Sequence, residues 1–172
     1  MTEPRFDFSW VTDDLAVGAA LPPGAAEALV RDHRVGAVVD LRAEFEPETA
    51  AFEKMGVAFL HLPTPDMLGV TQPMLDRGVA FAREAEEARR RLLIHCQHGI
   101  GRSATLALCV MVDRGAAPLE ALSSLKDARE CVSPSQAQFE AWMGWLERHA
   151  PTQPRPSFHA FGCVAYRHLA RA

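Results

Sequence analysis

A cysteine and an arginine stand six positions apart between a predicted buried strand and a predicted helix, in the stretch HCQHGIGRS that begins at His95. A turn from a strand into a helix directs successive backbone N–H groups at one point, and the helix start adds positive potential there. Such a cradle binds phosphate and favours the thiolate of a cysteine at its centre. We therefore predict a nucleophilic Cys96. The predicted phosphate-binding residues are Gln97, His98, Gly99, Ile100, Gly101 and Arg102.

Arg102 and Ser103 supply two further parts of this predicted chemistry. The planar guanidinium of Arg102 can hold two phosphate oxygens at once and stabilise their charge during transfer, which a lysine does less well. The Ser103 hydroxyl can donate a hydrogen bond to the sulfur and help it to leave in a second step. His95 is expected beneath the turn, where it orients the cysteine backbone. The predicted catalytic residues of this stretch are Cys96, Arg102 and Ser103.

Two simpler interpretations of Cys96 account for less of the sequence. A single cysteine at the end of a strand is usually a small buried apolar residue. Cys96 and His98 are also a conceivable pair of metal ligands, but no further ligand pair stands at a useful spacing, so we expect no metal and no cofactor. Neither interpretation explains two glycines, an arginine and a serine together at a strand-to-helix turn.

Strands and helices alternate on both sides of this turn. The sequence predicts a hairpin in residues 8–18 and buried strands at residues 35–41, 57–62 and 92–95, with helices between the last three. Proline and aspartate at residues 63–66 are expected to end the strand at residues 57–62 in a loop. The pattern predicts an α/β fold with a central, mostly parallel sheet of about five strands flanked by helices.

The C-terminal half is predicted to be helical. One helix starts at Pro118, and another opens with Ser133-Pro134-Ser135-Gln136, which has the spacing of a capping box. Three prolines between positions 151 and 156 indicate a linker before a final apolar segment. We therefore predict a catalytic domain at residues 1–150, followed at residues 151–172 by a linker and a helix that packs on the same domain.

Composition restricts the classes of partner. The chain has 172 residues and a formal net charge of −4, which disfavours a general binder of nucleic acid or anionic membranes. Residues 1–10 lack the basic and apolar pattern of a signal peptide, and four cysteines match neither a disulfide scaffold nor a zinc pattern. We expect a cytoplasmic location, no membrane or nucleic-acid partner, and an oligomeric state that the sequence does not specify.

The segment HCQHGIGRS resembles the His-Cys-x5-Arg-Ser/Thr signature of the protein tyrosine phosphatase superfamily, specifically its dual-specificity branch. The resemblance extends from about Trp10 to Leu146 and includes the opening WVTDDLAVGAA, the strand VVDLR and the segment SPSQAQF. The order along the chain supports this branch, because the low-molecular-weight phosphatases carry their cysteine near the N-terminus. The resemblance implies the phosphatase fold of the dual-specificity type.

The resemblance also implies a general acid on a loop upstream of the cysteine. Asp66 matches, because it follows a predicted strand and lies thirty residues before Cys96. It would protonate the leaving oxygen and then act as a base on the water that attacks the phosphocysteine. The alternative is that Asp66 only begins a turn after Pro65. Asp76 lies within a predicted helix and Asp40 at a strand end, so Asp66 is the favoured candidate.

The implied activity is hydrolysis of phosphate monoesters through a phosphocysteine intermediate. A phosphorylated protein, with phosphotyrosine or phosphoserine/threonine as the ester, is the favoured substrate, because the chain lacks an equivalent of the phosphotyrosine-recognition loop. An RNA 5′ phosphate or a phosphoinositide is the alternative. Relatives that cleave phosphoinositides usually carry extra basic residues in the x5 segment, whereas Gln97, His98 and Ile100 carry no permanent charge. A non-catalytic phosphate-binding module is a further alternative.

Several polar residues near the signature have structural interpretations. Gln136 is favoured as a helix cap and Gln138 as part of a solvated face, although either can place the hydrolytic water in relatives. Arg42 and Glu44 are expected to form a structural ion pair. Buried packing is favoured for Cys109 and Cys131, over a role in protecting oxidised Cys96 by a disulfide.

Overall fold

The computed structural model describes residues 5–171. Residues 1–4, which belong to the segment considered for a signal peptide, and Ala172, the last residue of the predicted C-terminal segment, lie outside the described residues. The strands are β1 (Phe8–Trp10), β2 (Leu15–Gly18), β3 (Val35–Arg42), β4 (Ala58–Thr64) and β5 (Arg91–His95). The helices are α1 (Ala25–His33), α2 (Thr49–Lys54), α3 (Gln72–Glu87), α4 (Arg102–Asp113), α5 (Pro118–Ala128), α6 (Gln136–His149) and α7 (Phe158–Ala165), followed by a 3₁₀ turn at Leu169–Arg171.

The five strands form one sheet in the order β1-β2-β5-β3-β4. Only the β1–β2 hairpin is antiparallel, and β2, β5, β3 and β4 are parallel neighbours. The predicted hairpin and the predicted mostly parallel, five-stranded α/β sheet are therefore confirmed. In this order β5 lies in the centre, so the loop after His95 opens at the middle of the sheet's C-terminal edge.

Strand β4 is longer than the sequence predicts. The strand continues through Pro63 to Thr64, whereas the proline was expected to end it at Leu62. β4 is the edge strand of the sheet, and an edge strand tolerates a proline because no partner needs its missing N–H group. The extension places the carbonyl of Thr64 next to the loop after β5.

Apolar side chains form one core on each face of the sheet. Val39 and Ile94 belong to the larger core, together with the helices α3 to α6. Val38 and Leu93, their neighbours in sequence, belong to the smaller core against α1 and α2. This alternation is the period of two expected for strands that are covered on both faces. Helix α4 is buried from Arg102 to Val112, so the loop before it is held on a rigid element.

The segment after residue 150 contributes to the larger core. Phe161 of α7 is fully buried, and its ring lies 4.8 Å from that of Phe139 in α6. The buried amine of Lys126 donates hydrogen bonds to the carbonyls of Val132 and Ala165 and to Nδ1 of His168, at 2.6–2.7 Å. Helix α7 is therefore joined to α5 by both apolar packing and hydrogen bonds. None of the helices within residues 5–171 combines the length and apolar character that a membrane crossing requires.

Candidate active site

The phosphate loop, residues 96–102, connects the end of β5 to the first turn of α4. Gly99 has a φ of +65°, and a Cβ at this position would lie 2.6 Å from the carbonyl carbon of Gly18. A Cβ at Gly101 would collide with the side-chain amide of Gln138. Glycine is therefore required at position 99 by the left-handed backbone and by close packing, and at position 101 by close packing. Two backbone hydrogen bonds join the loop to neighbouring segments. The N–H group of Cys96 donates to the Gly18 carbonyl, and the N–H group of Ser133 donates to the Ile100 carbonyl.

Cys96 lies inside this loop with only 2% of its surface exposed. Its sulfur is 3.3 Å from the hydroxyl oxygen of Ser103. Burial alone would raise the pKa of this thiol, but hydrogen bonds from the Ser103 hydroxyl and from the N–H groups of Ser103 and Gly99, with the charge of Arg102, lower it below the usual value. The surroundings of Cys96 therefore favour the nucleophilic thiolate.

Arg102 is 1% exposed and is held by acceptors on two other elements. Its two terminal nitrogens donate to both carboxylate oxygens of Glu44 at 2.8 Å, and one also donates to the Thr64 carbonyl at 2.8 Å. Hydrogen bonds from Arg102 lower the pKa of Glu44 to about 2. The Nε of Arg102 is buried and makes no hydrogen bond to any residue in 5–171. The arginine is therefore fixed in orientation while one N–H group stays available for a phosphate oxygen.

Asp66 reaches the same pocket from the loop after β4. Its side chain is 55% exposed, and one carboxylate oxygen lies 3.3 Å from a terminal nitrogen of Arg102. The same oxygen accepts a hydrogen bond from the backbone of Met67 at 2.9 Å. Asp66 and Cys96 both line a pocket of about 90 Å³. The structure thus brings together the predicted acid, nucleophile and phosphate-binding arginine.

The other predicted phosphate-binding residues divide between two places. His98, Ile100 and Gly101 line the pocket that contains Cys96 and Asp66. The side chain of Gln97 instead lines a second, larger cavity beside the loop. His95 is 1% exposed, and burial lowers its pKa to about 4, so the ring is neutral near pH 7. It lines the larger cavity beside the loop, and its role in orienting the cysteine backbone stays a prediction.

Arg129 is a functional candidate that sequence reasoning missed. It lies after α5, is 6% exposed, and donates to the carbonyls of Gly99 at 2.8 Å and His98 at 3.0 Å. Asp7 binds the other side of its guanidinium at 2.8 Å. By donating to two carbonyls of the phosphate loop, Arg129 fixes the backbone of that loop. No pattern in the sequence around Arg129 points to this role, because its partners Asp7 and Gly99 lie far from it along the chain.

The interpretation of Gln138 as a solvated residue is wrong. Gln138 is 2% exposed and lines the catalytic pocket beside Gly101. Its side chain accepts a hydrogen bond from the backbone of Ser135 at 2.8 Å, and the Ser135 hydroxyl accepts one from the backbone of Gln138. The capping box therefore consists of Ser135 and Gln138 rather than Ser133 and Gln136. Gln136 is the first residue of α6 and bonds Glu140.

Two other expectations about nearby residues are wrong. Arg42 pairs with Asp40 at 2.8 Å, not with Glu44, which is taken up by Arg102. Cys131 is exposed rather than buried, whereas Cys109 is buried as expected. Burial raises the pKa of the Cys109 thiol well above its usual value. Within residues 5–171 no group of three or more histidine, cysteine, aspartate or glutamate side chains could hold a metal ion.

Comparison with known proteins identifies the family. Residues 22–148 match the family described as dual specificity phosphatase, catalytic domain. The chain is 31% identical over 119 residues to the phosphatidylglycerophosphatase and protein-tyrosine phosphatase 1 of Rattus norvegicus, covering 65% of this chain and 62% of that protein's length.

Solved structures of similar fold agree with this match. Tk-PTP in its active form has a TM-score of 0.74 at 28% identity, covering 83% of this chain and 97% of Tk-PTP. PTPMT1 in complex with PI(5)P has a TM-score of 0.77 at 22% identity, covering 84% of this chain and 97% of PTPMT1, and therefore supports the fold alone. The matched family, the sheet and the loop at Cys96 agree with one another. The chain belongs to the dual-specificity branch of the cysteine-based protein tyrosine phosphatase superfamily.

Proposed function

We propose that the chain hydrolyses phosphate monoesters through a phosphocysteine intermediate on Cys96. One observation carries the proposal: a buried thiol whose pKa is lowered lies 3.3 Å from a serine hydroxyl, within a loop whose arginine keeps a buried N–H unpaired. A cysteine with a purely structural role needs none of these donors. The same donors that stabilise a thiolate also stabilise the phosphate oxygens that approach it.

In the first step, the Cys96 sulfur attacks phosphorus and the bond from phosphorus to the ester oxygen breaks. The electron pair of that bond goes to the leaving oxygen, which takes a proton from Asp66. Arg102 and the loop N–H groups hold the charge on the three remaining phosphate oxygens. The exposed carboxylate of Asp66 at the pocket mouth supports its role as the acid that meets the leaving group.

In the second step, water attacks the phosphocysteine and Asp66 accepts a proton from it. The bond from sulfur to phosphorus breaks, its electron pair returns to sulfur, and inorganic phosphate leaves. The Ser103 hydroxyl stabilises the developing thiolate by donating to it, which its 3.3 Å approach to the sulfur supports. Gln138 is a candidate for placing the water, because its buried side chain lines the pocket beside Gly101.

The substrate that we favour is a protein phosphorylated on tyrosine, serine or threonine. The catalytic pocket has a volume of about 90 Å³ and is lined mainly by uncharged groups. The cation at this pocket is Arg102, whose guanidinium lies 3.3 Å from the Asp66 carboxylate. A small pocket with a single strong cation suits a singly phosphorylated side chain better than a headgroup that carries several phosphates.

A singly phosphorylated phospholipid is the second candidate, because apolar side chains are exposed around the site. Phe45, Met67 and Leu68 are 52%, 64% and 53% exposed. Phe45 follows Glu44 and Met67 follows Asp66, both of which contact Arg102. The rat relative is named for phosphatidylglycerophosphatase as well as protein-tyrosine phosphatase activity, and it therefore supports either substrate.

The test is metal-free, vanadate-sensitive hydrolysis of an aryl phosphate by the wild type and by Cys96→Ser. We expect clear turnover by the wild type and none by the variant. Full activity of Cys96→Ser would contradict the assignment of the nucleophile, and an inactive wild type across pH 5–8 would contradict the catalytic proposal. A panel of phosphopeptides, phosphatidylglycerophosphate vesicles and 5′-triphosphorylated RNA then decides the substrate class.

We also propose a cytoplasmic location. Four free cysteines, including the nucleophile, support a reducing compartment, because a thiolate with a lowered pKa is readily oxidised elsewhere. Fractionation of cells that produce the tagged protein tests this. Recovery with the membrane fraction would contradict it and favour the phospholipid candidate.

A further inference from the structure

A second cavity, which we call the side cavity, lies next to the phosphate loop. Its volume is about 320 Å³, compared with about 90 Å³ for the catalytic pocket. His95 and Gln97 form its inner wall, whereas Cys96 between them lines the catalytic pocket. Further walls come from strands β3 and β4, from the segment before and at the start of α1, and from the segment before and within α2. The two cavities thus share one loop as a common wall.

The side cavity has an apolar part that suits an extended side chain. Phe45, Phe52 and Phe59 line it together with Leu21. Aromatic rings attract cations as well as apolar stems. A cation of this chain already takes such a position, because the guanidinium of Arg42 lies 5.0 Å from the centroid of the Phe45 ring.

The charges around the side cavity favour a cationic ligand. Three carboxylates, from Asp40, Glu46 and Glu48, line it against the single guanidinium of Arg42. Arg42 is already neutralised by Asp40, to which it donates at 2.8 Å. Glu48 accepts a hydrogen bond from the backbone of Gly24 at 3.1 Å, whereas Glu46 makes no hydrogen bond or ion pair within residues 5–171. An anion is therefore repelled here, in contrast to the catalytic pocket.

Two residues next to Cys96 form the polar part of the side cavity's wall. Gln97 and His95 both line it, and the ring of His95 is neutral near pH 7 because burial lowers its pKa to about 4. The Oε1 atom of Gln97 and the Nδ1 atom of His95 are themselves buried. The attraction for a cation therefore comes from the carboxylates and the aromatic rings of the side cavity.

We propose that the side cavity binds a lysine or arginine side chain of a phosphopeptide substrate, close in sequence to the phosphorylated residue. The cationic group is attracted by Glu46, while its aliphatic stem packs on Phe52 and Phe59. This proposal rests on the proposed phosphoprotein activity.

The experiment measures phosphopeptide affinity by calorimetry on Cys96→Ser, which needs no turnover. One phosphotyrosine peptide is prepared with lysine, norleucine or glutamate at each of the three positions on either side of the phosphotyrosine. At one of these positions we expect lysine to bind about tenfold more tightly than norleucine, and glutamate to bind more weakly than both. Equal affinities of the lysine and norleucine peptides at every position would overturn the proposal, as would no binding of any peptide.

Substitutions at Glu46 locate the effect in the side cavity. Glu46→Gln, combined with Cys96→Ser, should reduce the preference for lysine to less than about twofold, and Glu46→Arg should reverse it in favour of glutamate. Glu53→Gln is the matched control, since Glu53 is an exposed carboxylate of α2 that does not line the side cavity. It should keep the full preference. A preference that survives Glu46→Gln would overturn the proposal.

Aryl phosphate hydrolysis keeps the two proposals distinguishable. With Cys96 intact, Glu46→Gln should hydrolyse para-nitrophenyl phosphate within about twofold of the wild type, because this small ester does not reach the side cavity. An inactive wild type would refute the phosphatase proposal, whereas an active enzyme without a lysine preference in the calorimetry would refute the side-cavity proposal alone.

Discussion

The loop before helix α4 and the middle of that helix each contain a buried cysteine, and the two thiols differ in chemistry. Cys96, in the loop before the helix, is 2% exposed, and Cys109, within the helix, is 0% exposed. Burial raises the pKa of Cys109 well above its usual value. At Cys96, hydrogen bonds from Ser103 and Gly99 and the charge of Arg102 outweigh the same effect and lower the pKa. The donors around the sulfur, not its burial, therefore decide which thiol becomes a nucleophile.

The largest effect is expected from Arg102→Lys. A lysine keeps the charge but cannot donate in the same fork to Glu44, Thr64 and a phosphate, so kcat should fall by about 10²–10³-fold. Steady-state hydrolysis of an aryl phosphate measures this. Cys109→Ala is the control and should leave kcat within about twofold of the wild type. A lysine variant with full activity would show that charge near Cys96 suffices without the fork.

The second prediction compares the two thiols directly. At pH 7, iodoacetamide should alkylate Cys96 more than about 100-fold faster than Cys109, because the pKa of Cys96 is lowered and that of Cys109 is raised. Peptide mass spectrometry after timed quenching gives both rates from one sample. Cys131 and Cys163, which are exposed, serve as internal references for ordinary accessible thiols. Comparable rates at Cys96 and Cys109 would break the comparison.

Ser103→Ala should have an intermediate effect, on both the pKa and the second chemical step. The Ser103 hydroxyl is one of the donors that lower the pKa of Cys96, so its loss should raise this pKa. The acid limb of kcat/KM should then move to higher pH, and kcat near neutral pH should fall about tenfold. Alkylation rates of Cys96 between pH 4 and 9 measure the shift. An unchanged profile would assign the lowered pKa to backbone donors and Arg102 alone.

The smallest effect is expected from Glu44→Gln, and it depends on pH. Arg102 lowers the pKa of Glu44 from 4.5 to about 2, so the carboxylate stabilises the fold above pH 4.5 and loses this contribution as the pH falls towards 2. The unfolding free energy of the wild type should therefore exceed that of the variant more at pH 6 than at pH 3. Urea unfolding at the two pH values measures this. An equal difference at both values would contradict the assigned ion pair.

The sheet and the phosphate loop could be predicted because local patterns determine them. The apolar runs, the glycines and the order of elements specify β5, the loop and α4 without reference to distant residues. Asp66 was identified through the family resemblance, which implies an acid on an upstream loop, and Asp66 follows a strand whose position the pattern gives. Only the end of β4 was misplaced, since the sequence does not tell that β4 is an edge strand that tolerates Pro63.

The residues that support the site could not be predicted, because each acts across a long separation in sequence. Glu44 reaches Arg102, whereas its neighbour Arg42 is taken by Asp40. Arg129 reaches back to the carbonyl of Gly99. Gln138 lies in the space that the missing side chain of Gly101 leaves, so its burial follows from packing rather than from the helical period. Their positions require the folded structure.

The buried amine of Lys126 makes one residue of α5 depend on a segment near the C-terminus. Its acceptors include the Ala165 carbonyl and His168, which lie beyond the region matched by the family. A descendant that lost this terminal segment would lose two of the three acceptors that hold the Lys126 ammonium, and with them the reason for a lysine at this position. Loss of the segment should therefore coincide with replacement of Lys126 by an apolar residue in the same lineage.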